Sequence, residues 1–236
     1  MHTQESQRAS RELQSRKPSG GGLRVVCFST YVADPARQTP RHRDVRNFLL
    51  ALRGERIVGE SKIPVGKEER SLTTNNVNDS IDWFGEMAAE YVRANDLPAT
   101  FALIPVPTAK ATLESSSAPW TSLLAISIVS NGLPEADVAD VLRWREPLPP
   151  PGERALSAAE LYANLAVTRK LAPGVSAVLV DYLYTSSATV RACAARLQDQ
   201  GVAVPMALCA GRTTDDATHD AFRVVVGEIT PFEPGN

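Results

Sequence analysis

A dense group of hydroxyl side chains follows an apolar run in the last third of the chain. The segment AVLVDYLYTSSATV, residues 177–190, contains one carboxylate, Asp181. The hydroxyl-rich part after it comprises Thr185, Ser186, Ser187, Ala188 and Thr189. We expect this apolar run to lead into a helix that begins near Thr189. The free backbone N–H groups at the start of that helix would point at the hydroxyl-rich residues, and such groups bind anions, above all phosphate. Asp181 cannot bind a phosphate and suits ribose hydroxyls or a nearby Mg²⁺ ion. The order of residues therefore predicts a pocket for a sugar phosphate.

The same residues also fit a simpler role. Serine and threonine are favoured at helix N-caps and in turns, so a solvated turn would use the same residue types. Four hydroxyl residues in the five positions 185–189 are more than one cap needs. On the residues alone, both interpretations stay open.

The elements that must position these residues alternate along the chain. Apolar runs predict strands at 23–32, 100–107, 139–144, 177–181, 202–211 and 222–229. One-sided apolar spacing predicts helices at 43–54, 80–95 and 119–129 and after Thr189, and a Ser157/Glu160 capping box predicts one at 157–168. Alternation from residue 80 onwards indicates an α/β fold with an open, mainly parallel sheet flanked by helices. Ligands of such sheets bind beyond the carboxyl ends of the strands, where Asp181 is expected to lie.

Four segments carry a resemblance to a known family. VLVDYLYTSSATV resembles the phosphoribosylpyrophosphate (PRPP) loop of the type I phosphoribosyltransferases, in which an apolar strand leads to two acids and a Thr/Ser–Gly-rich loop. LIPVP at 103–107 resembles the strand and turn that supply the pyrophosphate side. RALSAAELYANLAV at 154–167 lies where the ComF-like branch has its Leu-Ser…Glu-Arg…Asn segment, and GVAVPMALCAGRT at 201–213 resembles the next strand with its frequent Arg-Thr ending.

The resemblance implies a phosphoribosyltransferase-like core at residues 79–236 and an N-terminal hood at 23–78. Residues 1–22 are polar and end in glycines, a composition typical of a disordered segment. In the family arrangement residues 185–189 bind the 5′-phosphate, Asp181 and Tyr182 face the ribose, and Lys110 meets the pyrophosphate. Asp181 and Lys110 are the expected catalytic residues, and Asp181 also supports Mg²⁺ indirectly.

Two positions depart from the family pattern. Tyr182 stands where the second acid is expected, which removes a charge-assisted contact worth about 1.5–3 kcal/mol. Ser187 stands where a glycine is usual, and its Cβ costs about 1 kcal/mol if the backbone needs a positive φ. The changes leave two functions open: a phosphoribosyltransferase that binds PRPP or a nucleotide, and a non-catalytic regulatory or partner-binding protein that holds a nucleotide or sugar phosphate with the same fold.

The bulk composition limits the other classes of function. A net charge of −2 gives no support for a nucleic-acid partner or a ComF-like role in DNA handling, whereas a homodimer or a protein partner stays open. No apolar run approaches the length of a membrane span. The three cysteines, Cys27, Cys193 and Cys209, are isolated and lack metal-ligand spacing. They predict a reducing compartment and a cytoplasmic location.

Overall fold

A central sheet with helices on both sides forms the body of the molecule in a computed structural model, which describes residues 22–95, 97–150, 153–230 and 232–233. The expected disordered segment lies outside these residues, apart from Gly22. The elements in chain order are β1 (Leu23–Cys27), β2 (Thr30–Val32), a 3-10 turn (Pro35–Arg37), α1 (Pro40–Leu52), β3 (Ser61–Val65), β4 (Glu68–Leu72), α2 (Asp79–Ala94), β5 (Phe101–Pro105), α3 (Thr121–Ser130), β6 (Asp137–Val138), β7 (Leu142–Trp144), α4 (Ala158–Asn164), β8 (Leu165–Val167), β9 (Ser176–Tyr184), α5 (Ser187–Gln198), β10 (Met206–Thr214) and β11 (Val225–Ile229).

The central sheet has the strand order β11-β1-β10-β9-β5-β6, and β2 pairs with the end of β10 beyond β1. All of these pairings are parallel except that of β11 with β1. The prediction of an α/β fold with a mainly parallel sheet is confirmed. The chain passes from β5 through α3 to β6 on one side, and it returns to the other side of β5 as β9.

Two apolar layers cover the sheet. The first, which we call the α2 face, contains α1, α2, α3 and the β3–β4 hairpin, with Phe48 and Phe84 fully buried in it. The second, the α5 face, contains α4, α5 and the β7–β8 hairpin, with Trp144 and Cys193 at its centre. The alternation of side chains along β9 divides the strand between them: Val178 and Val180 belong to the α2 face, and Leu179 belongs to the α5 face.

Two expected strands take a different place in the structure. The strand expected at 222–229 is β11, which runs antiparallel to β1, because the connection from β10 contains no crossover helix. The strand expected at 139–144 is shortened to β7, which leaves the central sheet and pairs antiparallel with β8. Leu142 and Trp144 of β7 are fully buried on the α5 face, and this packing accounts for the departure of β7 from the sheet.

The helix expected at 157–168 begins as expected and ends early. Ser157 caps it, because the Ser157 Oγ accepts from the Glu160 amide and the Glu160 carboxylate accepts from the Ser157 amide at 2.8 Å. The helix stops at Asn164 because the next three residues form β8. None of the helices within the described residues is long and apolar enough to cross a membrane.

The expected N-terminal hood does not form one separate unit. Strand β1 lies inside the central sheet, between β11 and β10, so residues 23–27 belong to the core of the fold. The later elements of the 23–78 segment, α1 and the β3–β4 hairpin, pack on the α2 face. Strand β1 belongs to the core because its buried residues are apolar. Its two neighbours, β10 and β11, also need it for their backbone hydrogen bonds.

Candidate functional site

The junction between β9 and α5 consists of two residues. Strand β9 continues past Asp181 to Tyr184, and α5 begins at Ser187, so that only Thr185 and Ser186 connect them. The expected strand end at Asp181 and the expected helix start near Thr189 are therefore both corrected. The strand is longer because β10 extends equally far and continues to pair with it, up to the partners Arg212 and Tyr184.

The N-terminus of α5 is not capped by a side chain. Ser186 is the N-cap residue and has extended backbone angles, but its side chain makes no capping hydrogen bond. Thr39 and Ser157 cap α1 and α4 through their hydroxyl groups, whereas α2 and α3, like α5, have no side-chain cap. The first-turn N–H groups of α5 and the positive end of its dipole are thus directed at the exposed connection 185–186.

Ser187 fits this backbone without strain. It is the first residue of α5, and within the described part of the chain no residue other than glycine has a positive φ. The expected cost of a Cβ in place of glycine does not arise, because a helical backbone accepts any residue with a side chain of this size. Ser187, Ala188 and Thr189 are all partly buried in the first turn.

Asp181 lies on the α5 face, among thiols. Its strand partner is Cys209, which pairs with Cys27 of β1 in turn, and Cys193 of α5 is its other sulfur neighbour. The Asp181 carboxylate accepts a hydrogen bond from the Tyr182 amide at 2.7 Å, and no cation among the described residues pairs with it. Burial raises the pKa of Asp181 to about 6, an effect that this hydrogen bond partly offsets. A desolvated, unpaired carboxylate beneath the helix that follows its strand is typical of a functional residue.

Cys193 and Cys209 lie beside Asp181, and Cys27 pairs with Cys209, although the three cysteines are far apart in sequence. All three are buried and none is in a disulfide. The hydrogen bond with Cys27 and burial raise the pKa of Cys209, and burial raises that of Cys193. Cys193 and Cys209 are therefore held in their protonated form.

Asp181 is the carboxylate expected to support Mg²⁺ indirectly, and the described residues around it do not form a complete metal site. Protein sites for Mg²⁺ usually supply one or two carboxylates and leave the other positions to water and phosphate. Asp181 provides a single, desolvated carboxylate surrounded by thiols, and the described residues contain no group of three or more potential ligands for a metal ion.

Tyr182 lies on the opposite face from Asp181. Its hydroxyl donates to the Leu49 carbonyl at 3.0 Å, and its ring packs edge-on against Trp120 at 5.2 Å between centroids. Burial raises the pKa of Tyr182 to about 12. The structure therefore separates the two expected ribose-side residues and places Tyr182 in the packing of the α2 face.

Lys110 lies on an anchored surface segment. Trp144 holds this segment, because its indole Nε1 donates to the carbonyls of Pro107 and Thr108 at 3.2 and 3.0 Å. The Lys110 side chain is exposed and forms no hydrogen bond or ion pair with any described residue. The structure shows no contact between Lys110 and residues 185–189.

Strands β5 and β9 form the topological switch point of the sheet. The chain leaves β5 through α3 on the α2 face and leaves β9 through α5 on the α5 face, and ligands of open α/β sheets bind where the connections diverge in this way. The rings of Trp120 and Tyr182 fill the α2-face half of this region. The uncapped α5 N-terminus lies on its α5-face half.

Sequence reasoning did not identify Thr30 and Arg212 as site residues. Arg212 is the strand partner of Tyr184 on one side and of Thr30 on the other. The Thr30 Oγ1 and the Arg212 Nε are buried atoms that have no hydrogen-bond partner among the described residues. A buried donor or acceptor without a partner costs about 1–3 kcal/mol. The Arg-Thr ending of the β10 segment was visible in the sequence, whereas the pairing of β10 with the three-residue β2 was not.

Two clefts among the described residues lie elsewhere. A cavity of about 410 Å³ is bounded by α2, the β3–β4 hairpin and β11, with Tyr91, Phe222 and Val226 in its largely apolar wall. A second cleft, of about 400 Å³, lies between α1 and the start of β3 and includes Arg43 and Arg46. Neither is lined by residues 185–189.

Comparison with known proteins adds no assignment: no protein-family model and no curated protein matches this chain.

Proposed function

We propose that this protein binds the 5′-phosphate of PRPP or of a nucleotide at the junction of β9 and α5. The observation that carries the proposal is the uncapped N-terminus of α5, which follows a hydroxyl-rich connection at the switch point of a parallel sheet. A phosphate there receives hydrogen bonds from first-turn amides and from the hydroxyls of Thr185, Ser186 and Thr189. The PRPP-loop resemblance of this segment supports a phosphate carried on ribose.

Transfer of the phosphoribosyl group to a base is the second candidate function. In that reaction the bond between ribose C1 and the pyrophosphate oxygen breaks, a bond between C1 and a base nitrogen forms, that nitrogen loses its proton, and pyrophosphate leaves. Asp181 favours this candidate, because its burial and raised pKa are typical of a carboxylate at a reactive centre. Tyr182 and Lys110 favour binding without transfer, because the first is engaged with Leu49 and the second has no contact that holds it at the site.

Two substitutions at Ser187 test the binding site. Proline suits the first position of a helix, and the extended backbone of Ser186 is the conformation that a following proline requires. Ser187→Pro therefore removes one amide donor and the hydroxyl while the helix persists, and Ser187→Ala removes the hydroxyl alone. In calorimetric titrations with ribose 5-phosphate and PRPP, we expect Ser187→Pro to weaken binding about tenfold or more and Ser187→Ala to weaken it less.

The outcomes separate the candidates. Binding of both ligands by the wild type, lost in Ser187→Pro, supports the site. Release of pyrophosphate from PRPP with a panel of purine and pyrimidine bases supports transfer, and binding without release supports a non-catalytic protein. Equal affinity of the wild type and Ser187→Pro, with ribose 5-phosphate bound, contradicts the proposed site.

A further inference from the structure

The ends of three neighbouring strands form a row of polar side chains beside the α5 N-terminus. Thr30, Arg212 and Tyr184 are successive partners across β2, β10 and β9. Partners on adjacent parallel strands point to the same side of a sheet, and Tyr184 packs on the α5 face. Ser187, the first residue of α5, follows Tyr184 after only two connecting residues, and its side chain interacts with the Tyr184 hydroxyl. The row therefore ends at the first turn of α5.

Two members of this row have unused hydrogen-bonding groups. Thr30 is 0% exposed, and its hydroxyl has no partner among the described residues. The Arg212 Nε is buried without a partner, and the described carboxylates form no ion pair with its guanidinium. Asp181, the carboxylate on the same face, accepts only from the Tyr182 amide. This contrasts with Arg143 of β7, whose guanidinium is paired with Asp140.

We propose that Arg212 and Thr30 bind the phosphate at the α5 N-terminus, and that this phosphate is a dianionic ester. The inference rests on the proposed function and adds the cation that residues 185–189 lack. A guanidinium presents a planar pair of donors that matches two phosphate oxygens, and an ester dianion offers three oxygens to the amides, the hydroxyls and Arg212 together. A carboxylate ligand offers two oxygens and leaves some of these donors unpaired.

The proposal places the phosphate on the β9–β10 side of the helix. On its other side β9 pairs with β5, and there the rings of Trp120 and Tyr182 occupy the α2 face. A ribose attached to the phosphate would then extend across the end of β9, over the exposed connection 185–186.

The test uses inorganic phosphate and ribose 5-phosphate as probes, in calorimetric titration of the full chain. We expect Arg212→Gln to weaken the binding of both probes about tenfold or more and Arg212→Lys to restore part of the loss, because lysine keeps the charge without the planar fork. Arg46→Gln is the matched control: it removes an equal charge from α1 on the α2 face, and binding should stay at the wild-type level.

Thr30→Val separates a ligand-binding role from a structural one. Valine has the shape of threonine without the hydroxyl, so a hydroxyl that bonds nothing in the free protein can be removed without lowering the melting temperature. We expect an unchanged or higher melting temperature together with weaker binding of both probes. A lower melting temperature with normal binding would assign Thr30 to the fold and overturn its part in the proposal.

The two proposals fail in different ways. If Ser187→Pro loses ribose 5-phosphate and Arg212→Gln keeps it, the proposed function stands and this inference is wrong. If Arg212→Gln loses inorganic phosphate and Ser187→Pro keeps both probes, Arg212 binds phosphate away from the α5 N-terminus, and both the proposed function and this inference are wrong. Binding of neither probe to the wild type contradicts both.

Discussion

Asp181 carries its charged group at a desolvated position of the fold. Its carboxylate is held on the α5 face by one amide hydrogen bond and faces the thiols of Cys193 and Cys209. An apolar or neutral residue at this point would pack without the penalty of desolvating a charge. A chain that retains a carboxylate there loses stability at neutral pH, which supports a role in ligand binding.

The raised pKa of Asp181 gives a pH-dependent prediction. Its value of about 6 in the folded protein lies above the value near 4 of an unfolded chain. The folded state binds the proton more tightly between these limits, so the contribution of Asp181 to stability falls as the pH rises from about 4 to about 6. We expect Asp181→Asn to remove this fall and to increase the free energy of unfolding at pH 7 by about 2 kcal/mol.

Urea unfolding at a series of pH values measures this difference. The wild type and Asp181→Asn should have similar stability near pH 4 and diverge above pH 6. Asp137→Asn, at an exposed carboxylate on the edge strand β6, should follow the wild-type curve. A constant offset between wild type and Asp181→Asn across the whole range would show that the carboxyl does not titrate as proposed.

At the scale of elements, local signals in the sequence predicted the structure best. The Ser157/Glu160 capping box marks the start of α4 because both partners lie within one helical turn. Three features depend on pairing between distant segments and could not be predicted from local patterns. They are the departure of β7 from the sheet, the antiparallel direction of β11 and the full length of β9. The same distinction applies to the site. Residues 185–189 were found as one contiguous cluster, whereas Thr30 and Arg212 meet only through the pairing of β2 with β10.

The crossing of α2 and α3 requires a glycine. A Cβ at Gly85 would lie 2.7 Å from the backbone of Ser127 in α3. We therefore expect Gly85→Ala to destabilise the protein by about 1–3 kcal/mol in chemical unfolding, although alanine is the better helix former by about 1 kcal/mol. At Gly227 in β11 a Cβ would meet nothing within 4 Å, so Gly227→Ala should leave stability unchanged or slightly higher. Equal effects of the two substitutions would contradict the close crossing.

Trp144 anchors the segment that contains Lys110. Trp144→Phe removes the indole N–H that donates to the Pro107 and Thr108 carbonyls, and it leaves space in a fully buried position. We expect a loss of about 2–4 kcal/mol of stability and faster tryptic cleavage after Lys110. Trp83→Phe, a buried tryptophan on α2, is the matched control: it should lower stability without accelerating that cleavage in native protein. Unchanged cleavage in Trp144→Phe would show that the segment is held by other contacts.

At the scale of the whole molecule, the sheet brings the polar groups of four separate segments to the α5 face. Thr30, Asp181, Ser187 and Arg212 come from β2, β9, α5 and β10, and each is placed by strand pairing or by the helix that follows a strand. Four expectations stay predictions: dependence on Mg²⁺, a base as acceptor, a dimer or protein partner, and a cytoplasmic location. The proposed class of ligand depends on phosphate binding at the α5 N-terminus.

Ligand binding at this site should stabilise the whole fold. Any ligand that binds only the folded state raises the free energy of unfolding, by about 2.7 kcal/mol at a concentration of 100 times the Kd. We expect ribose 5-phosphate to raise the melting temperature of the wild type in a dose-dependent manner, and ribose at the same concentrations to leave it unchanged. An equal rise with ribose would assign the effect to the sugar rather than to the phosphate.

Backbone amide mapping tests the central claim most directly. In two-dimensional ¹H–¹⁵N spectra of the labelled protein, titration with ribose 5-phosphate should shift the amide signals of residues 185–190 first and most, with smaller changes at Thr30 and Arg212. These shifts should be much reduced in Ser187→Pro. If the signals of residues 185–190 stay in place while those around the cavity between α2 and β11 move, the phosphate binds elsewhere and the proposed site is wrong.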